Sequence, residues 1–236
     1  MKIALIGYGR MGKAIEAIAR ERGHEISQVI DIDNPNGWSH PAMEETDAAI
    51  EFTTPESARS NILHCFDKGI PVVSGTTGWL EHWDEVIKAC RKKKGTLFYA
   101  SNFSIGVNIL FAINRKLAEL MNQFPQYDVQ MKEVHHIHKK DAPSGTAISL
   151  AEQITEQLER KTCWSQDEKD KHIHIEAQRE GEVTGYHQVT YDSPLDKIRI
   201  SHEAKSRKGF AAGAVMASEF IQGKEGIFTM QDLLNV

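Results

Sequence analysis

The sequence predicts a doubly wound parallel α/β sheet joined to a smaller α+β region. Three observations carry that expectation. Strand-like apolar runs alternate with helical patterns from the first residue to about 105. A glycine-rich turn links the first strand to the first helix. Beyond about residue 105 the alternation lapses, and strands follow one another directly. Strict alternation favours parallel strands with helical crossovers, whereas consecutive strands favour an antiparallel or mixed sheet.

Each element has its own signal. Lys2-Ile3-Ala4-Leu5-Ile6 is a short apolar run stopped by glycine, as a buried parallel strand requires. Residues 12–22 place Ile15, Ile18 and Ala19 on one helical face, and residues 26–31 read as the second strand. The polar connection after it, with Pro35, Gly37 and Pro41, is short for a crossover helix. Strands are expected at 48–53, 70–74 and 96–100, separated by helices at 55–68 and 80–94. A long helix at 107–124 precedes an alternating strand at 127–135 and another helix at 144–160. A polar linker is expected at 161–171, then strands at 172–179, 185–191 and 197–204. A helix rich in small residues at 210–222 and a short piece at 228–234 complete the chain.

Composition excludes several classes. The net charge of −5 gives no electrostatic case for nucleic acid. No apolar run approaches the roughly 20 residues needed to span a bilayer. Cys65, Cys90 and Cys163 are scattered and odd in number, which fits a reducing compartment and argues against a disulfide framework or zinc knuckle. The expectation is a cytoplasmic protein without membrane or nucleic-acid partners.

Gly7-Tyr8-Gly9-Arg10-Met11-Gly12 lies between the first strand and first helix. Its glycines permit a tight turn, close approach of a pyrophosphate, and packing of helix on strand. Asp31 then falls at the end of the second strand, where a carboxylate can take the ribose hydroxyls. The context points to a dinucleotide, although glycine turns also serve packing alone. Ile32, Asp33 and Asn34 offer no cation to a 2′-phosphate, so NADH is expected over NADPH. Gly75-Thr76-Thr77-Gly78 and Ala100-Ser101-Asn102-Phe103 end further strands at the ligand-binding edge, where ordinary strand-to-helix turns are an equal alternative.

The most concentrated chemistry is Glu133–Ala147, reading EVHHIHKKDAPSGTA. Three imidazoles and two ammoniums crowd residues 135–140, at a desolvation cost that a simple core would not bear. His135, His136 and His138 admit four readings: neighbour-satisfied histidines, metal ligands, phosphate contacts, or acid–base and substrate-binding groups. Lys139 and Lys140 disfavour a cation, so no metal is expected. Pro143-Ser144-Gly145-Thr146 opens a helix whose first N–H groups can hold a carboxylate that Lys139 neutralises. A histidine can then exchange a proton near neutral pH. The residues themselves reach hydride transfer to a small anionic substrate, with protonation.

The string His-His-x-His-Lys-x-Asp-Ala-Pro-Ser-Gly-Thr, with Gly7–Gly12, Glu51-Phe52-Thr53, Gly75–Gly78 and Asn102–Val107, resembles the dihydrodipicolinate reductase family. Arg179-x-Gly181, Gly185-x-His187, His202 and the Arg207–Ala214 segment extend the resemblance over nearly the whole chain. It implies NAD(P)H-dependent reduction of 4-hydroxy-tetrahydrodipicolinate with loss of water, in lysine and diaminopimelate biosynthesis. His135 would donate the proton, and Lys139 would be a second acid and charge partner. His136, Gly145 and Thr146 would bind the dicarboxylate. Gly7, Tyr8, Gly9, Arg10, Met11, Asp31, Gly75, Thr76, Thr77, Ala100, Ser101, Asn102 and Phe103 would line the nucleotide.

The resemblance further implies a Rossmann-type domain at 1–104 and 207–236, with residues 105–206 inserted as a substrate-binding and oligomerisation domain of a homotetramer. The two crossings would act as a hinge. Two departures stand out: Ile32 where many relatives carry a cation, and Thr54 where some carry Arg. An aspartate- or homoserine-type dehydrogenase would lack the histidine string, and a silent nucleotide sensor would lack an intact His135 and Lys139.

Overall fold

The computed structural model describes residues 1–206 and 208–236; Arg207, the expected crossing point, lies outside the described residues. In chain order the elements are β1 (Lys2–Ile6), α1 (Arg10–Glu21), β2 (Glu25–Ile30), β3 (Ala48–Glu51), α2 (Pro55–Asp67), β4 (Val72–Ser74), α3 (Trp83–Lys93) and β5 (Thr96–Tyr99). There follow α4 (Ile105–Met121), β6 (Asp128–His135), α5 (Gly145–Gln157), β7 (Cys163–Ser165), β8 (His172–Arg179), β9 (Tyr186–Asp192) and β10 (Lys197–Glu203). The chain closes with α6 (Lys208–Phe220), β11 (Gly226–Phe228) and α7 (Met230–Leu234). Met1–Ile105 with Lys208–Val236 form one compact unit, and the segment beginning at Gly106 forms the other.

The first unit holds a six-stranded parallel sheet in the order β11-β5-β4-β3-β1-β2. Both faces are covered, which explains why its strands read as continuous apolar runs. Ile3 and Leu5 face one core with Ile15 of α1 and Ala214 of α6, while Ala4 and Ile6 face another with Ile62 of α2 and Val86 of α3. In place of a crossover helix, two 3-10 turns at Pro35–Ser39 and Pro41–Glu45 link β2 to β3. Met43 and Trp38 from those turns join the second core, so apolar burial is kept with less chain. Strand order reverses between β1 and β3, and the carboxyl ends of the strands at such a switch point are where open α/β sheets take their ligands.

The second unit is a mixed sheet in the order β10-β9-β6-β8-β7, parallel at β6–β8–β7 and antiparallel at β6–β9–β10. Val129 and Met131 of β6 pack with Ile173 and Ile175 of β8, Val189 and Tyr191 of β9, and the inner faces of α4 and α5.

Two sequence expectations are corrected here. The stretch expected as a polar linker at 161–171 contains β7, an edge strand that pairs in parallel with β8 and packs Trp164 against the core. The C-terminal piece is a strand and a short helix, and β11 pairs in parallel with β5 as the sixth strand. Both are three-residue strands, too short for periodicity to register: β7 pairs with β8 nine residues further on, and β11 pairs with the distant β5.

Candidate functional site

The glycine turn of the first unit is shaped by three different demands. Gly7 has φ of 89°, and a Cβ there would stand 2.1 Å from the Phe52 carbonyl oxygen. At Gly12 a Cβ would meet the Gly7 carbonyl oxygen at 2.3 Å, so only glycine lets α1 seat on the turn. Gly9, the N-cap of α1, differs: a Cβ there would touch nothing within 4 Å. The outer two glycines are thus required by packing. The middle one leaves clear space before a helix N-terminus, as an approaching pyrophosphate needs. Tyr8 and Glu16 are hydrogen-bonded beside this turn. Asp31 directly follows β2 and accepts the Ile32 amide at 2.9 Å, while Ile32 is 90 % exposed.

A buried carboxylate ties the neighbouring loops together. Glu51, fully buried at the end of β3, accepts from Ser74 Oγ and Thr76 Oγ1, each at 2.7 Å, and from the Thr53 amide at 3.1 Å. Trp79 Nε1 donates to the Thr76 carbonyl at 2.8 Å, anchoring the Gly75–Gly78 loop from beneath. Gly75 is obligatory because a Cβ would lie 2.1 Å from the Phe52 ring. At the 100–103 loop, Ala100 and Phe103 are buried, and Asn102 Oδ1 accepts the Ser104 amide at 2.9 Å. Their packing against Phe98 and Ala214 makes these two residues part of the core as well as of the expected nucleotide edge.

In the second unit, the helix-covered face of the sheet turns polar at one end. Val129 and Met131 are followed in the same phase by Glu133 and His135, while Arg179 continues the phase of Ile173 and Ile175. His187 does the same at the near end of β9. Glu133 has no exposed surface, and its Oε1 accepts from the Ser144 amide and Arg179 Nη2, both at 3.1 Å. Its Oε2 lies 3.2 Å from His135 Nδ1, at ion-pair distance but outside hydrogen-bond geometry, and 3.7 Å from His187 Nε2. Burial pushes the Glu133 carboxyl up, but the contacts of His135, Ser144 and Arg179 outweigh it and hold the pKa down at about 2. His187 is pushed down to about 4, chiefly by burial and then by the charge of His135, so it is neutral at physiological pH. Its Nε2 lies 3.1 Å from Ser144 Oγ.

Arg179 organises the loop that follows. Its guanidinium donates to the carbonyls of Lys139, at 3.4 Å, and Asp141, as well as to Glu133. Lys139 Nζ reaches both carboxylate oxygens of Asp141 at 2.8 Å. Ser144 caps α5 by accepting the Ala147 amide at 3.2 Å, while its own amide is held by Glu133. The amides of Gly145 and Thr146 therefore sit between two anchored positions at a helix start, a geometry suited to a carboxylate. The His136 and His138 rings lie 5.9 Å apart, and His138 pairs with exposed Glu182 at 3.1 Å.

The sequence-predicted residues thus fall into two groups. Gly7–Met11, Asp31, Gly75–Thr77 and Ala100–Phe103 belong to the first unit, and His135, His136, Lys139, Gly145 and Thr146 to the second. Sequence reasoning missed Glu133 and Arg179 as site residues; a charged residue in phase with core positions on adjacent strands was the signal. Donor atoms of Glu133, His135 and His187 lie within 4.8 Å of one another, a spacing a metal ion can bridge. The Arg179 guanidinium on the same carboxylate opposes a second cation there.

Fold and site together define an oxidoreductase of the Rossmann type. Residues 1–103 match the family model described as dihydrodipicolinate reductase, N-terminus, and residues 106–234 match that of its C-terminus. The chain therefore belongs to the dihydrodipicolinate reductase family. A 4-hydroxy-tetrahydrodipicolinate reductase of Christiangramia forsetii is 50 % identical over 237 residues, covering 100 % of this chain and 98 % of that protein. One from Lawsonia intracellularis is 34 % identical over 260 residues, covering 99 % of each. The dipicolinate-bound dihydrodipicolinate reductase from Paenisporosarcina sp. TG-14 shares the fold, with a TM-score of 0.81 at 22 % identity over 98 % of each chain. No helix among the described residues is long and apolar enough to cross a membrane.

Proposed function

We propose that the chain reduces 4-hydroxy-tetrahydrodipicolinate to tetrahydrodipicolinate with loss of water, in lysine and diaminopimelate biosynthesis. The observation that carries this reading is the loop from His135 to Thr146. It combines an imidazole, a lysine and a capped helix start, held by the buried Glu133–Arg179 pair. A reduced nicotinamide dinucleotide supplies the hydride when bound. Gly7, Tyr8, Gly9, Arg10 and Met11 would receive its pyrophosphate, and the space in front of Gly9 fits that role. Asp31 would take the ribose hydroxyls. With no cation at Ile32, Asp33 or Asn34, NADH is the preferred form and NADPH the poorer one. Gly75, Thr76, Thr77, Ala100, Ser101, Asn102 and Phe103 would complete that edge.

In the second unit, the Gly145 and Thr146 amides with His136 bind one substrate carboxylate by charge-assisted hydrogen bonds. Lys139 leaves Asp141 to neutralise the bound anion and acts as a second acid. His135 gives the proton that completes the reduction. The reading also takes the chain as a cytoplasmic homotetramer, with the helix-free face of the second sheet as the self-association surface. Lys132 and Glu176 on that face form a 3.7 Å pair, which suits a polar contact between copies.

The test is NADH and NADPH oxidation with freshly condensed aspartate semialdehyde and pyruvate. Wild type should turn over NADH. His135→Ala and Lys139→Ala should each lose about 10²–10⁴-fold in kcat while still binding NADH. No turnover by wild type with either nucleotide would sink the reading.

A further inference from the structure

We infer that Glu133 is a positioning residue for the reduction, fixing His135 as the Nδ1–H tautomer so that Nε2 is the nitrogen that exchanges the proton. This rests on the reading of His135 as proton donor. The geometry divides the carboxylate cleanly. Oε1 is taken by the Ser144 amide and Arg179 Nη2, leaving Oε2 to the two imidazoles. The nearer is His135, through a buried Nδ1 at 3.2 Å. The farther, His187, sits at 3.7 Å and also has Ser144 Oγ at 3.1 Å.

Charge supports the same division. Glu133, held down at about 2, is ionised at neutral pH, and His187, pushed down to about 4, is neutral there. An ionised carboxylate only accepts, so at 3.2 Å it favours a hydrogen on the Nδ1 that faces it. With Nδ1 keeping its hydrogen, the proton that makes the imidazolium is taken up, given and regained at Nε2. A second, independent observation lies on the other side of the ring. A Cβ at residue 185 would stand 3.2 Å from His135 Nε2, tighter than ordinary contact, and Gly185 keeps that side clear. One nitrogen is therefore backed by a fixed acceptor, and the other faces a position without a side chain.

A purely structural Glu133, needed only to hold Ser144 and Arg179, predicts different behaviour. The experiment places Glu133→Gln in wild type and in His135→Ala. It measures kcat, KM and NADH affinity, and records ¹⁵N correlation spectra of the His135 ring. Glutamine keeps the size of the side chain and an acceptor for Ser144 and Arg179. The expected result is a kcat about 10²-fold lower with KM changed by less than about threefold. No further loss is expected when the substitution is added to His135→Ala. The spectra should show Nδ1–H in wild type and a tautomer mixture in the variant.

An equal loss in both backgrounds, or a change in KM alone, would overturn the inference. So would an Nε2–H tautomer in wild type, a measurement that decides the matter even where Glu133→Gln does not fold. His135→Ala with wild-type kcat would instead overturn the assignment of His135 as donor. Impaired His135→Ala beside unimpaired Glu133→Gln would overturn the role of Glu133 alone.

Discussion

Alanine at Gly9 and at Gly12 should separate nucleotide binding from folding, although the two glycines are three residues apart in one turn. At Gly12 the new methyl would lie 2.3 Å from the Gly7 carbonyl oxygen, so α1 must move off the turn that seats it. Helix propensity favours alanine by about 1 kcal/mol. The overlap outweighs that gain, and overpacking of this kind costs about 1–3 kcal/mol net. For a protein of this size the melting temperature should fall by about 3–10 °C. At Gly9 the methyl enters open space, and the only cost without nucleotide is a poorer N-cap, about 0.5 kcal/mol. The same methyl would occupy the space proposed for the pyrophosphate, so NADH affinity should fall about 10–100-fold, or about 1.4–2.8 kcal/mol. Thermal melts without nucleotide and fluorescence titrations with NADH measure both quantities. Wild-type NADH affinity in Gly9→Ala would refute the placement of the pyrophosphate. Wild-type stability in Gly12→Ala would refute the packing argument.

Three further outcomes are expected. Asp31→Ser should improve kcat/KM for NADPH relative to NADH by about tenfold, because it removes the carboxylate that repels a 2′-phosphate; steady-state rates with both nucleotides check it. Glu51→Ala should destabilise the first unit by about 3 kcal/mol or more, since Ser74, Thr76 and the Thr53 amide lose a buried acceptor; urea unfolding reads this, with Glu51→Gln milder. Acid should weaken the second unit in two windows. His187 and Glu133 both have depressed pKa values when folded, so the unfolded chain binds more protons and stability falls as pH falls. His187 acts between about pH 6.5 and 4, worth about 3 kcal/mol at most, and Glu133 acts from about 4.5 towards 2. Urea midpoints from pH 7 to 4 should decline in wild type and flatten in His187→Gln.

What could be read from the chain beforehand follows a physical divide. The turn at Gly7–Gly12 and the strands around it were legible because their signals are local: apolar runs, glycines and an acid at a strand end. The return of α6 to the first unit was implied by resemblance alone, since Ala211, Ala214 and Val215 look like any helix of small residues until their partners are known. Gly213 shows why small residues are needed there, as a Cβ would collide with the Phe103 carbonyl oxygen at 1.8 Å. Strands β7 and β11 escaped notice because three residues carry too little pattern. Glu133 was visible as a charge but not as an anchor. Its meaning depends on Arg179 and His187, which strand register brings beside it from more than forty residues away.

The division of the chain has a consequence for how the protein is made. The second unit is one unbroken stretch and can complete its core from its own residues alone. The first unit cannot. One of its two cores needs Ala211, Ala214, Val215, Ile221 and Met230, and the edge of its sheet needs β11. Its two segments flank the second unit along the chain, so the unit entered before the other is completed only after it. Until then β5 presents an open edge and an uncovered apolar face to the cell, so dependence on chaperones should concentrate on the half that looks the more regular.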